Sequence, residues 1–466
     1  MKNEWKLDWS GAANTCPDWF QDAKFGIYCH WGPFCVPAYE DEWYSRRMYQ
    51  TGSVANLHHT SHYGPLSQYG YKDFYSGFTG ERFNADEWVA LMARGGAKYV
   101  SVCAEHADNF SMWPSRVNPV NAMNYGPRRD VVGEMKSAAK RLGLPFGATL
   151  HHSWLWGWFC STDPEADVYD PANEIYYGKP QPMSAQALEP KFLPDEEFQR
   201  TWLIKCKEVI DGYMPDTIYF DSRVSIIEEK YKLEFAEYYH EAARKAGKQV
   251  VFTYKFADFP DRAGILDFEC NWQHQIRQEP WQNDDMSVWG TWCYVKDMKY
   301  KTAGQLIHQL VDDVSKNGNF LLNLCPRADG TFTEETVALV EAIGDWLAVN
   351  GEGIYGTRPF TVFGEGPTIQ LIERVMRLEK YKPFTAEDIR FTQKDDVVYA
   401  ILLGWPYAEK ISISSLRNGG SLDRSVHRIT MLGDGGSLPF ERDNVALTVT
   451  LPDQKPCMDA WVLKIE

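Results

Sequence analysis

Eight short apolar runs in this chain each stop on residues that can donate, accept or transfer a proton. The plainest is "PDTIYFDSR", residues 215–223, where strand-forming residues end on Asp221. The other stops are His30, then Glu105 with His106, His151 with His152, Lys255, Glu269, Trp292 with Tyr294, and Asn323. Two carboxylates facing one ligand, among imidazoles and flat aromatic faces, suit hydrolysis of a glycosidic bond. One carboxyl protonates the leaving oxygen and the other meets the cationic anomeric centre. Asp221 is the candidate for the second group; Glu269, at a strand tip, and Glu279, in "QHQIRQEPWQ", are the candidates for the first. The histidines raise a metal reading, but no HxH or HExxH stands on one element with a matching carboxylate. His58, His59 and His62 lie in a stretch expected to be a solvated loop, so neither a metal nor another cofactor is expected.

What must position these groups is a repeated strand and helix. The runs are "FGIYCHW" from Phe25, "KYVSVCAEH" from Lys98, "FGATLHH" from Phe146, "TIYFD" from Thr217, "VVFTYK" from Val250, "ILDFE" from Ile265, "VWGTWCY" from Val288 and "NFLLNLCP" from Asn319. Between them "ADEWVALMARGGA", "RDVVGEMKSAAKRLG", "DEEFQRTWLIKCKEVIDG", "KLEFAEYYHEAARKAG" and "TAGQLIHQLVDDVSKNG" space apolar residues by three and four, several with an acidic start and a terminal Gly. Such alternation implies a parallel sheet. Eight units predict an α/β fold, a (β/α)8-like TIM barrel, whose sites lie where the strands end. The competitor, an open doubly wound sheet, lacks its usual dinucleotide site because no GxGxxG follows the first run. Past residue 360 "DIRFTQKDDVVYAILLGWP", "SVHRITML" and "NVALTVTLP" alternate apolar and polar residues between turn formers, which predicts a C-terminal antiparallel β-sandwich. The expected domains are residues 1–360 and 361–466, the second bracing the first.

The 466 residues carry a formal charge of −16 with no compensating Lys/Arg block, which argues against a phosphate-tracking nucleic-acid binder. Eighteen Trp and 25 Tyr supply flat faces of the kind sugar rings pack against, but aromatics serve more often as core, and composition alone does not separate the two. The N-terminal "MKNEWKLDWSGAANT" has no apolar signal core and no run reaches 18 apolar residues, so the chain as it stands is expected to be soluble and without a membrane partner. Ten cysteines make no CxxC pair and many lie inside apolar runs, the pattern of buried free thiols in a reducing cytoplasm.

Six stretches in order match one family: "WFQDAKFGIYCHWGPFCVPAYEDEWYSRRMY", "FNADEWVALMARGGAKYVSVCAEHADNFSMWPS", "RRDVVGEMKSAAKRLGLPFG", "PDTIYFDSR", "VSKNGNFLLNLCPRADGTF" and "AIGDWLAVNGEGIYGTRPF". Over most of residues 19–360 the chain resembles the α-L-fucosidases of glycoside hydrolase family 29. The resemblance implies a (β/α)8-like barrel followed by a β-sandwich, and hydrolysis of terminal α-L-fucosides with retention of configuration. It also implies a fucosylated oligosaccharide or glycoconjugate as partner. The family's nucleophile, the Asp closing its fourth strand, falls on Asp221 in "DTIYFD". The residues implied to hold the fucose hydroxyls are His30 of "HWG", Glu42 and Trp43 of "EWY", and His106, the first His of the family's "KHHDGF".

That last motif departs from the family here. Glu105 stands for its Lys, Ala107 for its second His and Asn109 for its Gly, which leaves one sugar contact to His151 or His152. Many members carry an acid where "EPWQNDD" has Gln282, and a neutral amide does not donate such a proton, which leaves Glu269 or Glu279; Glu269 is preferred because a strand tip holds a carboxyl more rigidly than a loop, with Asp284 and Asp285 as outsiders. The expected sugar contacts are His30, Glu42, Trp43, His106, His151, His152, Tyr219 and Trp292, with Trp43 and Trp292 as aromatic wall. In "HHSWLWGWF", residues 151–159, Trp154, Trp156, Trp158 and Phe159 read equally as a rim for the neighbouring sugar or as core beneath the loop. Two rival readings stand beside this one. A hydrolase for another sugar is kept in play by Glu105 and Ala107; a non-hydrolytic sugar-binding protein is opposed by the paired carboxylates.

Overall fold

In a computed structural model of the chain, residues 5–12, 16–182, 192–371 and 374–466 are described. Eight all-parallel strands close into a barrel: β1 (Phe25–Cys29), β2 (Tyr99–Glu105), β3 (Phe146–Leu150), β4 (Thr217–Phe220), β5 (Val251–Lys255), β6 (Ile265–Asp267), β7 (Trp281–Met286) and, after a small hairpin of β8 (Val288–Trp289) and β9 (Lys299–Tyr300), β10 (Gly318–Leu324). The order around the barrel is β1-β10-β7-β6-β5-β4-β3-β2. Helices Ala85–Arg94, Val131–Arg141, Glu196–Tyr213, Glu229–Lys245 and Ala303–Ser315 lie where the apolar spacing predicts them. Asn84, Asp130, Asp195 and Thr302 cap four of them by accepting otherwise unpaired backbone N–H groups.

Two expectations are corrected. The seventh barrel strand is "WQNDDM", not the run from Val288, which forms the hairpin instead. Its polar residues are buried on both faces because each finds a partner. Inward, Gln282 Nε2 donates to Asp267 Oδ2 at 2.9 Å and Asp284 Oδ2 accepts from Tyr219 OH at 2.8 Å; outward, Asn283 Nδ2 donates to Asp313 Oδ2 at 2.9 Å and Lys301 Nζ to Asp285 Oδ2 at 2.6 Å. The histidines at 58, 59 and 62 are not in a loop either. Ser53 caps a helix, Val54–His62, by accepting from Asn56 N, and His59 is buried on its inner face.

The barrel interior is packed by Tyr28, Tyr99 and Tyr219, with Val251, Ile265, Met286 and Leu321 around them. Tyr99 fits because its neighbour on β1 is Gly26: a Cβ there would lie 2.3 Å from the Tyr99 ring. Beyond the barrel, β11 (Arg358–Glu365), β12 (Ile389–Lys394), β13 (Val397–Leu402), β14 (Lys410–Ile413), β15 (Ile429–Met431), β16 (Phe440–Arg442), β17 (Leu447–Thr450) and β18 (Trp461–Ile465) form two antiparallel sheets, β11-β12-β13-β18-β15 and β14-β17-β16, around one apolar core. Arg390 of β12 reaches back to the barrel helix Ala303–Ser315, its Nε 2.6 Å from the buried Asp312 Oδ1. Among the described residues the ten cysteines are all free thiols, eight of them buried, and no helix is long and apolar enough to cross a membrane.

Because the space at Gly26 belongs to a ring held on all sides, Gly26→Ala is expected to cost about 1–3 kcal/mol through overpacking. A lower urea midpoint with an unchanged slope would show it; an unchanged midpoint would mean that Tyr99 has room to move.

Candidate active site

The carboxyl ends of the strands open on a cavity of about 410 Å³. Side chains alternate along β4, so Tyr219 and, two residues on, Asp221 share the inward face one layer apart. Asp221 therefore stands at the mouth, and Tyr219 beneath the floor with its hydroxyl on Asp284. This corrects the expectation that Tyr219 touches a sugar. Lys255, the last residue of β5, donates from Nζ to Asp221 Oδ1 at 2.7 Å and to Glu269 Oε2 at 2.5 Å. The two carboxylate oxygens are thus no farther apart than these two bonds laid end to end. Glu269 is not a strand tip: β6 ends at Asp267, and Glu269 and Cys270 follow in the left-handed region, φ 40° and 53°. That turn, held by Glu269 N–H donating to Asp267 Oδ1 at 2.9 Å, swings the Glu269 side chain over the pocket, where Arg374 also pairs with it.

Burial is the largest single influence on the Asp221 carboxyl and works to raise it, but the Lys255 ammonium, through its charge and its hydrogen bond, and the Ser222 amide together outweigh it and hold the group well below the usual carboxylate range. Burial likewise works against the charge of Lys255, and Asp221, followed by Asp284, keeps it above its ordinary value. Below them Asp267 is pushed well up by burial and then by Asp284, so it carries a proton.

Glu42 behaves in the opposite way to Asp221. It is buried, accepts from Trp292 N at 3.0 Å, and is pushed up to about 8 by burial and then by Asp41. Across the pocket His30, His106 and His151 form a trio with ring centres 4.7–5.5 Å apart. Burial drives all three below the usual imidazole range, His30 to about 3. His30 Nδ1 donates to Asn323 Oδ1 at 2.9 Å, which leaves its Nε2 to accept from a ligand hydroxyl. Trp43, Trp154 and Trp292 supply the aromatic walls.

The remaining expected residues fall elsewhere. Glu279 precedes β7, so it lies at the opposite end of the barrel, exposed and paired with Arg262 at 2.8 Å. His152 turns away from the pocket to Glu105, its Nδ1 2.6 Å from Oε1. In residues 151–159, Trp154 lines the pocket, Trp156 is buried against a second cavity, and Trp158 and Phe159 are core. Lys255 was read as a strand tip without a role, and Asp284 only as an outside acid, in a strand whose middle four residues are polar. Arg374 and Met376 were missed altogether, since they come from beyond residue 360 with no local signal.

Two family models match the chain in tandem, Alpha-L-fucosidase over residues 2–352 and Alpha-L-fucosidase C-terminal domain over residues 382–466. The chain belongs to the α-L-fucosidase family. It is 29% identical to the rat tissue α-L-fucosidase over 473 residues, covering 98% of this chain and 92% of the relative, and 28% identical to the human tissue enzyme over 488 residues, covering 98% and 91%. A crystal structure of Thermotoga maritima α-fucosidase in complex with fucose superposes with a TM-score of 0.79 at 25% identity, covering 99% of this chain and 100% of that one. The chain is thus a fucosidase and a glycoside hydrolase, built as a (β/α)8 barrel with a C-terminal β-sandwich.

Within this family the departures at 105–109 acquire physical reasons. Asn109 sits at φ 66°, a left-handed conformation that suits the family's Gly and that Asn tolerates. Glu105 is buried, and Lys205 and His152 bring it down to about 2 against its burial. Of the two histidines left open by Ala107, it is His151 whose ring lies in the pocket, 4.7 Å from that of His106.

The Glu42 carboxyl binds its proton more tightly folded than unfolded, so its contribution to stability is full below 4.5 and is lost as pH rises through about 8. Glu42→Gln is expected to remove that part of the decline in Tm across this window, as calorimetry would read. An identical decline in the variant would assign it to other groups.

Proposed function

We propose that the fucosidase acts on the ends of glycans by a retaining double displacement through a covalent fucosyl-enzyme intermediate. The observation that carries this is the Lys255 bridge, which holds Asp221 and Glu269 within the short separation of about 5–5.5 Å that retaining glycosidases use. Asp221, kept ionised, attacks the anomeric carbon while Glu269 protonates the departing glycosidic oxygen. Glu269 then takes a proton from the water that attacks the same carbon and releases Asp221. A closed pocket walled by Trp43, Trp154 and Trp292 admits one terminal sugar, a neutral deoxy-sugar whose hydroxyls meet His30, His106, His151 and Glu42. Fucosylated oligosaccharides or glycoconjugates are the substrate class.

One observation favours a second reading of the acid. Glu269 faces two cations, Lys255 and Arg374, whereas Glu42 holds its proton up to about 8. In that reading Glu42 protonates the leaving oxygen, and Glu269 positions Lys255 and Arg374.

Proton NMR of the first sugar released from an aryl fucoside is expected to show the α anomer, and Asp221→Ala to lower turnover by several orders of magnitude. Release of the β anomer would overturn the double displacement. Glu269→Ala is expected to slow poor leaving groups far more than activated aryl ones, with added azide restoring turnover by capturing the intermediate without a base. Azide rescue of Glu42→Ala but not of Glu269→Ala would reverse the assignment.

A further inference from the structure

Residues 151–156 are a partition with two sides. His151 and Trp154 face the fucose pocket; His152, Leu155 and Trp156 face a separate cavity of about 240 Å³, and no described residue lines both. The far wall of this second cavity is the helix Glu196–Tyr213, which presents Phe198, Thr201 and Lys205 from one face by their spacing of three and four. Its volume is below the roughly 300–1,000 Å³ of sites for drug-sized ligands, and fits one small ring.

The base of the cavity is built from buried, mutually paired groups. Lys205 Nζ donates to Glu105 Oε1 at 2.8 Å and to Asn109 Oδ1 at 3.1 Å, and Ser111 Oγ donates to Glu105 Oε2 at 2.5 Å. The 2.6 Å contact from His152 Nδ1 to Glu105 requires the proton on Nδ1, because the carboxylate only accepts. His152 Nε2 is then a bare acceptor, and it is a buried polar atom without a partner in a residue only 3% exposed. Such an atom calls for an O–H or N–H donor.

Charge narrows the donor. A cation at Nε2 would approach the Lys205 ammonium, whose Nζ is 3.1 Å from the same imidazole. An anion would meet Glu174, Asp195 and Glu197 at the rim, where the cation Lys179 is already paired with Glu197 at 2.7 Å. What remains is a neutral hydroxyl carried on a ring with an apolar face, since Trp156 and Phe198 stand edge to face with centres 5.2 Å apart and His152 stacks on Phe198 at 5.1 Å. We infer that this cavity is a second binding site for a single neutral pyranose, separate from the fucose pocket and backed on the same partition.

The inference does not depend on the retaining mechanism, and its test reads binding. Saturation-transfer NMR on the full chain would use D-galactose and N-acetyl-D-glucosamine as neutral probes, with glucosamine and galacturonate as charged ones, in the presence of saturating L-fucose to occupy the catalytic pocket. Thr201→Trp fills the cavity from the helix, and Trp156→Ala removes one wall. Neither residue lines the fucose pocket, so aryl fucoside hydrolysis reports that each variant is folded. At least one neutral probe is expected to bind the wild type, with affinity falling about tenfold or more in both variants, the loss of one hydrogen-bonded or stacked contact. In crystals soaked with that probe a ring is expected in the cavity against the Trp156 and Phe198 pair, with a hydroxyl on His152 Nε2. Binding that both variants leave unchanged, preference for a charged probe, or no binding of any neutral probe would overturn the inference.

Discussion

The structure turns on one ammonium. Lys255 stands at the end of β5 between two carboxylates, above a barrel interior that contains two more, Asp267 and Asp284. Acidic groups this close repel one another, and water is largely excluded from them. The cation between them allows Asp221 and Glu269 to be brought within one sugar's reach; without it Asp221 would be an uncompensated charge, at a cost of roughly 3–5 kcal/mol, and Glu269 would be left to Arg374 alone. The same ammonium lowers Asp221 into a permanently ionised state, which is what a nucleophile needs, and Asp267 relieves the remaining repulsion by keeping its proton.

The other half of the pocket is organised by neutrality. His30, His106 and His151 are packed closely enough that a charge on one would repel the others, and burial already disfavours it. They remain uncharged acceptors and donors, suited to hydroxyls. The tautomer of His30 is set one shell out, by Asn323, which is itself held by donating from Nδ2 to Trp292 O at 2.7 Å. Glu42 belongs to this neutral half: its environment pushes it in the opposite direction from Asp221, so the pocket presents one ionised and one protonated carboxyl on different walls.

The C-terminal part of the chain does more than brace the barrel. Asp312, on a barrel helix, is paired with both Lys316 and Arg390, which ties the sandwich to the barrel through buried charges. From the segment between β11 and β12, Val375 N–H donates to Cys270 O at 2.8 Å, and the neighbouring Arg374 and Met376 enter the pocket. The turn that carries Glu269 is therefore supported from outside the barrel, by a segment roughly one hundred residues away in the sequence.

Leaving aside Glu42 and Trp43, which only the family resemblance placed, local pattern in the sequence was enough to determine much of this protein: the alternation of strands and helices, the antiparallel tail, and the placing of His30, His106, His151 and Asp221 around one cavity. These depend on period and on where an apolar run stops, which neighbours along the chain decide. What pattern could not show was any group whose place depends on a distant partner. β7 was illegible because its polar residues are buried only by virtue of Asp267, Asp313, Lys301 and two tyrosines elsewhere in the fold. His151 and His152 are adjacent and chemically identical, yet one faces the pocket and its neighbour is drawn away by Glu105. Glu269 and Glu279 are both acids near strands six and seven; the direction of a parallel strand puts one at each end of the barrel. Side-chain direction and pairing across the fold are set by closing the barrel, so only the tertiary structure decided them.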